Sequence, residues 1–321
     1  MSGTYKAIGI NLKSTPFGES DRLLTILTED TGFVRAVAPG SRKHKSSLGG
    51  RSGLFVINEL LIANGKSLDK VVQAESIESF PGLSQDLRKL TAAQYLAEIA
   101  LCQAFTDQPQ AELYHLLREH LSRVEQLPGS VTLPCLVHAI FHLLALAGVS
   151  PQVHGCCVSQ QPIVPDFADP NWRVGFSVVA GGTVLLSDLE NLQLDGLPSN
   201  SPTKQLPAKK LSVGLSSLPS KAQAANRAIV RTKSPPELQT QLTAIELYLL
   251  QQLTQPNLIE TLTTADPPVF ASNQVWLPIE RVLRHYAQYY FDRPIRSAAL
   301  IDTCFAPADA PSFPRDHDAI V

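Results

Sequence analysis

Aromatic residues make up only 7% of the chain, with two tryptophans, so any stacking surface for bases or sugars has to come from a handful of side chains. Cysteines number five, at 102, 135, 156, 157 and 304, an odd and scattered set that is no disulfide framework. A reduced, cytosolic chain is expected. Long apolar runs are scarce: the longest nearly charge-free one, Leu136 to Val149, falls short of the ~20 residues that cross a bilayer and is interrupted by His138 and His142. The residues after Met1 form no apolar stretch with a small-residue cleavage site, so a secretory signal is not expected. Charge of one sign is lacking too, since 27 basic and 29 acidic residues leave a net −2. A nucleic-acid partner would have to be held by a local basic patch. The spacings G-x-G-x-x-G, Walker A and G-x-S-x-G are absent, which removes local support for nucleotide hydrolysis or serine-hydrolase chemistry.

What is present is an ordinary globular balance, 44% apolar and 17% charged over 321 residues, enough for two or three domains. Residues 1–80 alternate with period two, the pattern of half-buried strands. Lys6, Ile8, Ile10 and Leu12 share one face of a first strand, and Leu23 to Thr28, Val34 to Ala38, Leu54 to Ala63 and Lys70 to Ile77 supply four more. Asp30-Thr31-Gly32 and Asn64-Gly65 are turn chemistry. Gly40 to Gly53 has no periodicity and reads as a long surface loop. Five strands of this kind close most simply as an OB-type barrel, which leaves no exposed edge.

Pro81-Gly82 marks a switch to helical periodicity. Ser84 to Phe105 is one helix candidate. Leu113, Leu116, Leu117, Leu121 and Val124 form a second stripe, and Leu136, Ile140, Leu143, Leu144 and Ala147 a third. Helical spacing returns at Leu242, Ile245, Leu249, Leu250 and Leu253, and again at Ile279, Val282, Leu283, Tyr286 and Tyr290. The expected organisation is therefore α+β. An N-terminal domain spans 1–80 and a helical domain 81–150 and 237–305. A small insertion, with a hairpin at Gly181-Gly182, occupies 151–198. The stretch 199–236 carries Lys204, Lys209, Lys210, Lys221, Arg227, Arg231 and Lys233 with no acid, and reads as a basic low-complexity linker acting as spacer or second tether. Residues 306–321 read as a flexible tail.

The strongest local signal is charge. Thr31 to Asn58 holds Arg35, Arg42, Lys43, Lys45 and Arg51 and no acid, a local +5 suited to tracking phosphates. About five phosphate contacts to a single strand would give a log–log salt slope of roughly −3.5. Aromatic candidates for stacking are Tyr5, Phe17, Phe33 and Phe55, several of them equally suited to a core.

Tyr5-Lys6-Ala7-Ile8, Phe17 to Thr25, Thr28-Glu29 to Gly32 and Ala38-Pro39-Gly40-Ser41-Arg42 resemble, in order and spacing, the N-terminal signature of the RecO family of bacterial recombination and repair mediators. Arg284-His285-Tyr286, Tyr289-Tyr290 and Arg293-Pro294-Ile295-Arg296-Ser297 resemble that family near its other end. The resemblance implies a DNA-binding OB-fold, a helical domain and a small inserted zinc module. It further implies a non-enzymatic role in the RecF pathway: annealing of complementary single strands and, with RecR, loading of RecA onto DNA coated by single-strand-binding protein. A cytoplasmic, nucleoid-associated protein follows. Glu19, Asp21 and Arg22, at the centre of the signature, read as structural residues that hold the strands.

Zinc is where the sequence departs. Structural zinc takes four Cys or His ligands as two C-x₂₋₄-C pairs; here Cys156 is followed by Ser159, and Leu185, Leu186, Ser187 and Asp188 stand where the second pair belongs. Cys157 and His154 do not complete a set, so no cofactor is expected. Cys135, His138 and His142 share a helix face and raise a metal-dependent enzyme as a rival, but no H-E-x-x-H motif supports it. His115 and His120 read as solvated or capping groups. A general single-stranded RNA or DNA chaperone is the other alternative.

Overall fold

The fold is described from a computed structural model for residues 3–189, 238–264 and 272–305; the basic linker and the tail read from the sequence lie outside these described residues. Strands β1 (Thr4–Phe17), β2 (Asp21–Thr28), β3 (Gly32–Ala38), β4 (Val56–Ala63) and β5 (Asp69–Ser79) hydrogen-bond in the order β1-β2-β3-β5-β4, and β4 returns to β1 to close a ring. All pairings are antiparallel except β3 with β5. Bulges in β1 at Leu12 and along the β4–β5 ladder supply the bends that closure needs.

The alternation in β1 serves two cores. Ala7 points into the ring with Leu24, Ile26, Val34, Ala36, Ala38, Leu60, Ile62, Val71 and Ala74. Space there is short: a Cβ on Gly9 would come within 2.6 Å of Ile26 Cγ2. The face carrying Ile10 and Leu12 is the outer one, and with Leu27, Phe55 and Ile57 it joins the core of the helical domain. The period-two pattern thus marks the docking face rather than the interior.

Helices α1 (Leu87–Gln103), α2 (Ala111–Gln126) and α3 (Thr132–Leu146) follow, and α4 (Ala244–Gln252), α5 (Leu258–Thr264), α6 (Asn273–Phe291) and α7 (Ala299–Phe305) complete the domain. Helix α3 is apolar on every side because it lies at the centre, packed against α1, α2 and α6. Gly129–Leu146 is long and apolar enough to cross a membrane by composition, a longer run than the sequence reading gave, yet 72% of it is buried inside the protein. The β2–β3 hairpin locks the two domains together. Gly32 adopts φ +77°, and a Cβ there would lie 2.4 Å from the carbonyl oxygens of Phe105 and Gln108. Phe33 N–H donates to Phe105 O at 2.9 Å and Gln110 N–H to Glu29 O at 2.9 Å.

The insertion forms a hairpin of β6 (Arg173–Ser177) and β7 (Gly182–Val184), with Gly181 at φ +91° in the turn. It is not confined to 151–198. A third strand, β8 (Thr240–Thr243), pairs with β6, so Leu242, read from the sequence as the start of a helix, lies in a strand opposite Val174. Cross-strand pairing wins over helical spacing there. The helix begins at Ala244, where Thr243 and Glu246 form a reciprocal capping box.

Candidate nucleic-acid interface

The loop between β3 and β4 is fastened at both ends. Asp21, at the head of β2, accepts from Gly40 N–H at 2.7 Å and from Ser20 Oγ at 2.8 Å. These bonds, Gly40's first, hold its carboxyl below the usual range, with Lys43 and Lys70 adding to the effect. At the far end, buried Asn11 and Asn58 both donate to Arg51 O, at 2.7 and 2.9 Å, and Asn11 also reaches Gly53 O at 3.0 Å. Leu48 drops into the ring interior as a central anchor. A segment without periodicity is thereby given one conformation.

Between these anchors Arg42, Lys43 and Lys45 stand exposed and form no ion pair among the described residues. Arg42 is oriented rather than free: its backbone N–H donates to Ser20 O at 2.9 Å and its guanidinium to Gly18 O at 3.1 Å, which ties it to the β1–β2 turn. Arg51 is half-buried, its Nε away from solvent and its guanidinium donating to Ser47 O within the same loop. Arg35 lies elsewhere, on the outer face of β3, lining a separate hollow with Lys66 and Asp107. The structure therefore brings together Arg42, Lys43 and Lys45 of the five. It adds Lys70, exposed on β5 beside Val37 and close enough to act on Asp21. Sequence spacing gave no sign of Lys70, because a parallel β3–β5 contact brings it there.

Of the aromatic candidates, Phe55 is buried in the interdomain core and Phe33 is half-buried. The Tyr5 hydroxyl donates to Asp69 at 2.7 Å. Phe17 is the open one, 43% exposed beside the Gly18 carbonyl that receives Arg42. Around it, Glu19 is exposed, and Arg22 donates to Ser14 Oγ across the β1–β2 ladder at 3.1 Å.

In the insertion, Cys156, Ser159 and Asp188 converge. Asp188 Oδ2 accepts from Cys156 Sγ at 2.9 Å and from Ser159 Oγ at 2.6 Å, while Cys156 Sγ accepts N–H groups of Val158 at 3.4 Å and Leu185 at 3.3 Å. These residues do not fit zinc: one thiol, one hydroxyl and one carboxyl meet, and position 185 carries leucine. His154 is exposed, and Cys157 is a separate buried thiol pushed up to about 12 by burial.

His138 and His142 are spent on backbone. His138 Nε2 bonds Gln255 O at 3.1 Å and His142 bonds the Leu253 backbone, so both hold the end of α4 and the turn after it. His120 corrects its reading as a solvated or capping group. It is 1% exposed, because it continues the inward stripe of Leu113, Leu117 and Leu121 on α2, and its ring lies 5.9 and 5.3 Å from those of His138 and His142. His115 is exposed and pairs with Glu29 at 2.9 Å. Cys135 is buried with its thiol pushed up to about 12 by burial. Among the described residues no group of three His, Cys, Asp or Glu is placed to hold a metal ion.

This histidine cluster makes stability pH-dependent. Burial holds His138 down to about 3, with His142 adding to it, and lowers His120 and His142 as well, with Arg123 nearby disfavouring a further positive charge. A histidine depressed in the folded state leaves stability intact above its unfolded pKa of about 6.5. Stability then falls as the pH drops, continuing towards about 3 for His138. Urea unfolding at pH 7.5 and 5.5 is expected to differ by about 1.4 kcal/mol in all for each histidine kept neutral, with the slope steepening below pH 5.5. His138→Gln should flatten that dependence.

The fold defines a class: an OB-type ring docked on a helical bundle that carries a small inserted sheet. Residues 1–80 match the family described as Recombination protein O N terminal, and residues 84–253 match Recombination protein O C terminal. The DNA repair protein RecO of Nostoc sp. strain PCC 7120 is 52% identical over 324 residues, covering 100% of both chains. That of Acaryochloris marina is 50% identical over 96% of this chain and 97% of its own, and that of Synechococcus elongatus 40% identical over 94% and 96%. The chain belongs to the RecO family of DNA repair proteins, and its role lies in DNA repair.

Proposed function

We propose that this chain is a non-enzymatic recombination mediator. It binds and anneals single-stranded DNA in the cytoplasm, at the nucleoid, and with RecR helps RecA onto DNA coated by single-strand-binding protein. The observation that carries the reading is the fastened loop holding Arg42, Lys43 and Lys45 exposed beside Phe17, in no ion pair among the described residues. Two complementary strands repel through their phosphates. A cationic surface that neutralises both raises their encounter rate with no bond made or broken. Phosphate contacts carry no sequence information, which suits a protein that must act on any broken DNA. The test is the annealing rate of complementary oligonucleotides precoated with single-strand-binding protein, at two salt concentrations. Acceleration that fades with salt is expected; binding without acceleration would overturn annealing, and equal competition by RNA of the same sequence would favour a general chaperone.

The mediator works without zinc in this reading. The Asp188 cluster closes the insertion with hydrogen bonds where the family's module would use a metal. Metal analysis of purified protein is expected to return far less than one zinc per chain, and stoichiometric zinc would overturn the reading. Asp188→Ala should cost about 1–3 kcal/mol, since it strips two partners at once.

A further inference from the structure

A cleft of about 500 Å³ runs between the two domains, floored by Leu12, Leu54, Ala97 and Leu101. One wall is β1 just past its bulge, with Lys13, Ser14 and Thr15; the other is the segment between α6 and α7, with Arg293, Pro294 and Arg296. Lys13, Arg293 and Arg296 are exposed and form no ion pair among the described residues. The one acid in the lining, Glu98, is engaged by backbone rather than by a cationic side chain: its Oε2 accepts the backbone N–H groups of Arg296 at 2.6 Å and Ser297 at 3.3 Å, and its single charge leaves the three cations in excess. The cleft is thus net positive at its rim and apolar at its floor.

It also adjoins the loop described above. Leu54 directly follows the Gly53 carbonyl that Asn11 holds, and Ser14 receives the Arg22 guanidinium at 3.1 Å. Arg22 in turn sits beside the β1–β2 turn that orients Arg42 through Ser20 O and Gly18 O. Cations therefore continue from Arg42 through Arg22 to Lys13, Arg293 and Arg296.

We infer that a single-stranded nucleic acid leaving the loop continues through this cleft, its phosphates on Lys13, Arg293 and Arg296 and its bases against Leu54 and Pro294. This rests on the nucleic-acid reading of the loop and extends it across the domain boundary. A single strand can lay bases on an apolar floor while its backbone follows the cationic rim, whereas a duplex keeps its bases stacked inside. The backbone bonds across the Gly32 junction tie together the two domains that the path crosses.

The test compares oligothymidylates of about 8 and about 24 nucleotides, chosen to fit one OB-sized site or to overrun it. Lys13→Ala/Arg293→Ala/Arg296→Ala is expected to leave the short oligonucleotide within about twofold. For the long one it should flatten the log–log salt slope by about two units, at ~0.7 per phosphate. Arg293→Lys/Arg296→Lys should keep the slope, because phosphate contacts need charge rather than a guanidinium fork, and it controls for misfolding. If the long-oligonucleotide slope is unchanged while Arg42→Ala/Lys43→Ala/Lys45→Ala still lowers it, the cleft is overturned and the loop stands. If neither variant changes either slope, the reading beneath falls as well.

Discussion

Replacing Arg42, Lys43 and Lys45 together with alanine is expected to flatten the salt dependence of single-strand binding by up to about two units, at ~0.7 per phosphate. With affinity near 1 M salt unchanged, that is about a hundredfold weaker binding at ~0.1 M, or roughly 2.7 kcal/mol. The fold should survive, because the three side chains are exposed and the loop is fastened through Asp21, Asn11, Asn58 and Leu48 instead. Two comparisons sharpen the result. Arg51→Ala should change the slope less than any of the three, since Arg51 is half-buried with its Nε away from solvent. Phe17→Ala should weaken binding by about 1–3 kcal/mol with the slope intact, because stacking a base on a ring releases no counterions. Fluorescence titrations over a salt series separate all three. A triple variant whose slope matches the parent would remove the loop from the interface.

Much of this was legible in the residues. Strand alternation placed all five ring strands, and turn chemistry at Asp30-Thr31-Gly32 placed the hairpin that now fixes the domain junction. The acid-free run from Thr31 to Asn58 marked the loop, and the broken C-x₂₋₄-C spacing at Ser159 fell where Cys156, Ser159 and Asp188 meet. What stayed hidden depends on contacts between residues far apart in the chain. Lys70 reaches the loop only through a parallel pairing of β3 and β5, which period-two patterning does not encode. Leu242 belongs to a strand because a hairpin formed some 65 residues earlier offers β6 as partner, and local spacing is blind to that offer. His120 carries a polar side chain on an apolar stripe, and burial is decided by the helix opposite. Arg51 and Arg42 are indistinguishable by charge, and only the folded loop half-buries the first and leaves the second exposed.

Glu280→Ala is expected to cost about 3–5 kcal/mol of unfolding free energy, among the largest losses available outside the apolar core. Glu280 on α6 is fully buried, and its carboxylate receives Arg284 through two hydrogen bonds of 3.0 and 2.5 Å. Arg284 extends the network to Asp302 on α7 at 2.9 Å, where Arg281 also binds at 2.8 Å. Burial raises the Glu280 carboxyl above its usual range, although Arg284 opposes that shift, so the ion pair is held against a desolvation cost. Truncating the acid leaves a guanidinium whose side chain is only 13% exposed with Asp302 as its remaining carboxylate. Much of the penalty is therefore the stranded charge rather than the lost bond. Glu280→Leu/Arg284→Met, which removes both charges, should be milder than Glu280→Ala alone, a sign of coupling that urea unfolding of the two variants would read. A loss below about 1 kcal/mol for Glu280→Ala would show that water enters and rescues Arg284. The network also bears on binding, because it clamps α6 to α7 on either side of the segment that carries Arg293 and Arg296. Mild urea should therefore weaken long-oligonucleotide binding in Glu280→Ala before it unfolds the ring, since the loop's own anchors at Asp21, Asn11 and Asn58 lie outside the network.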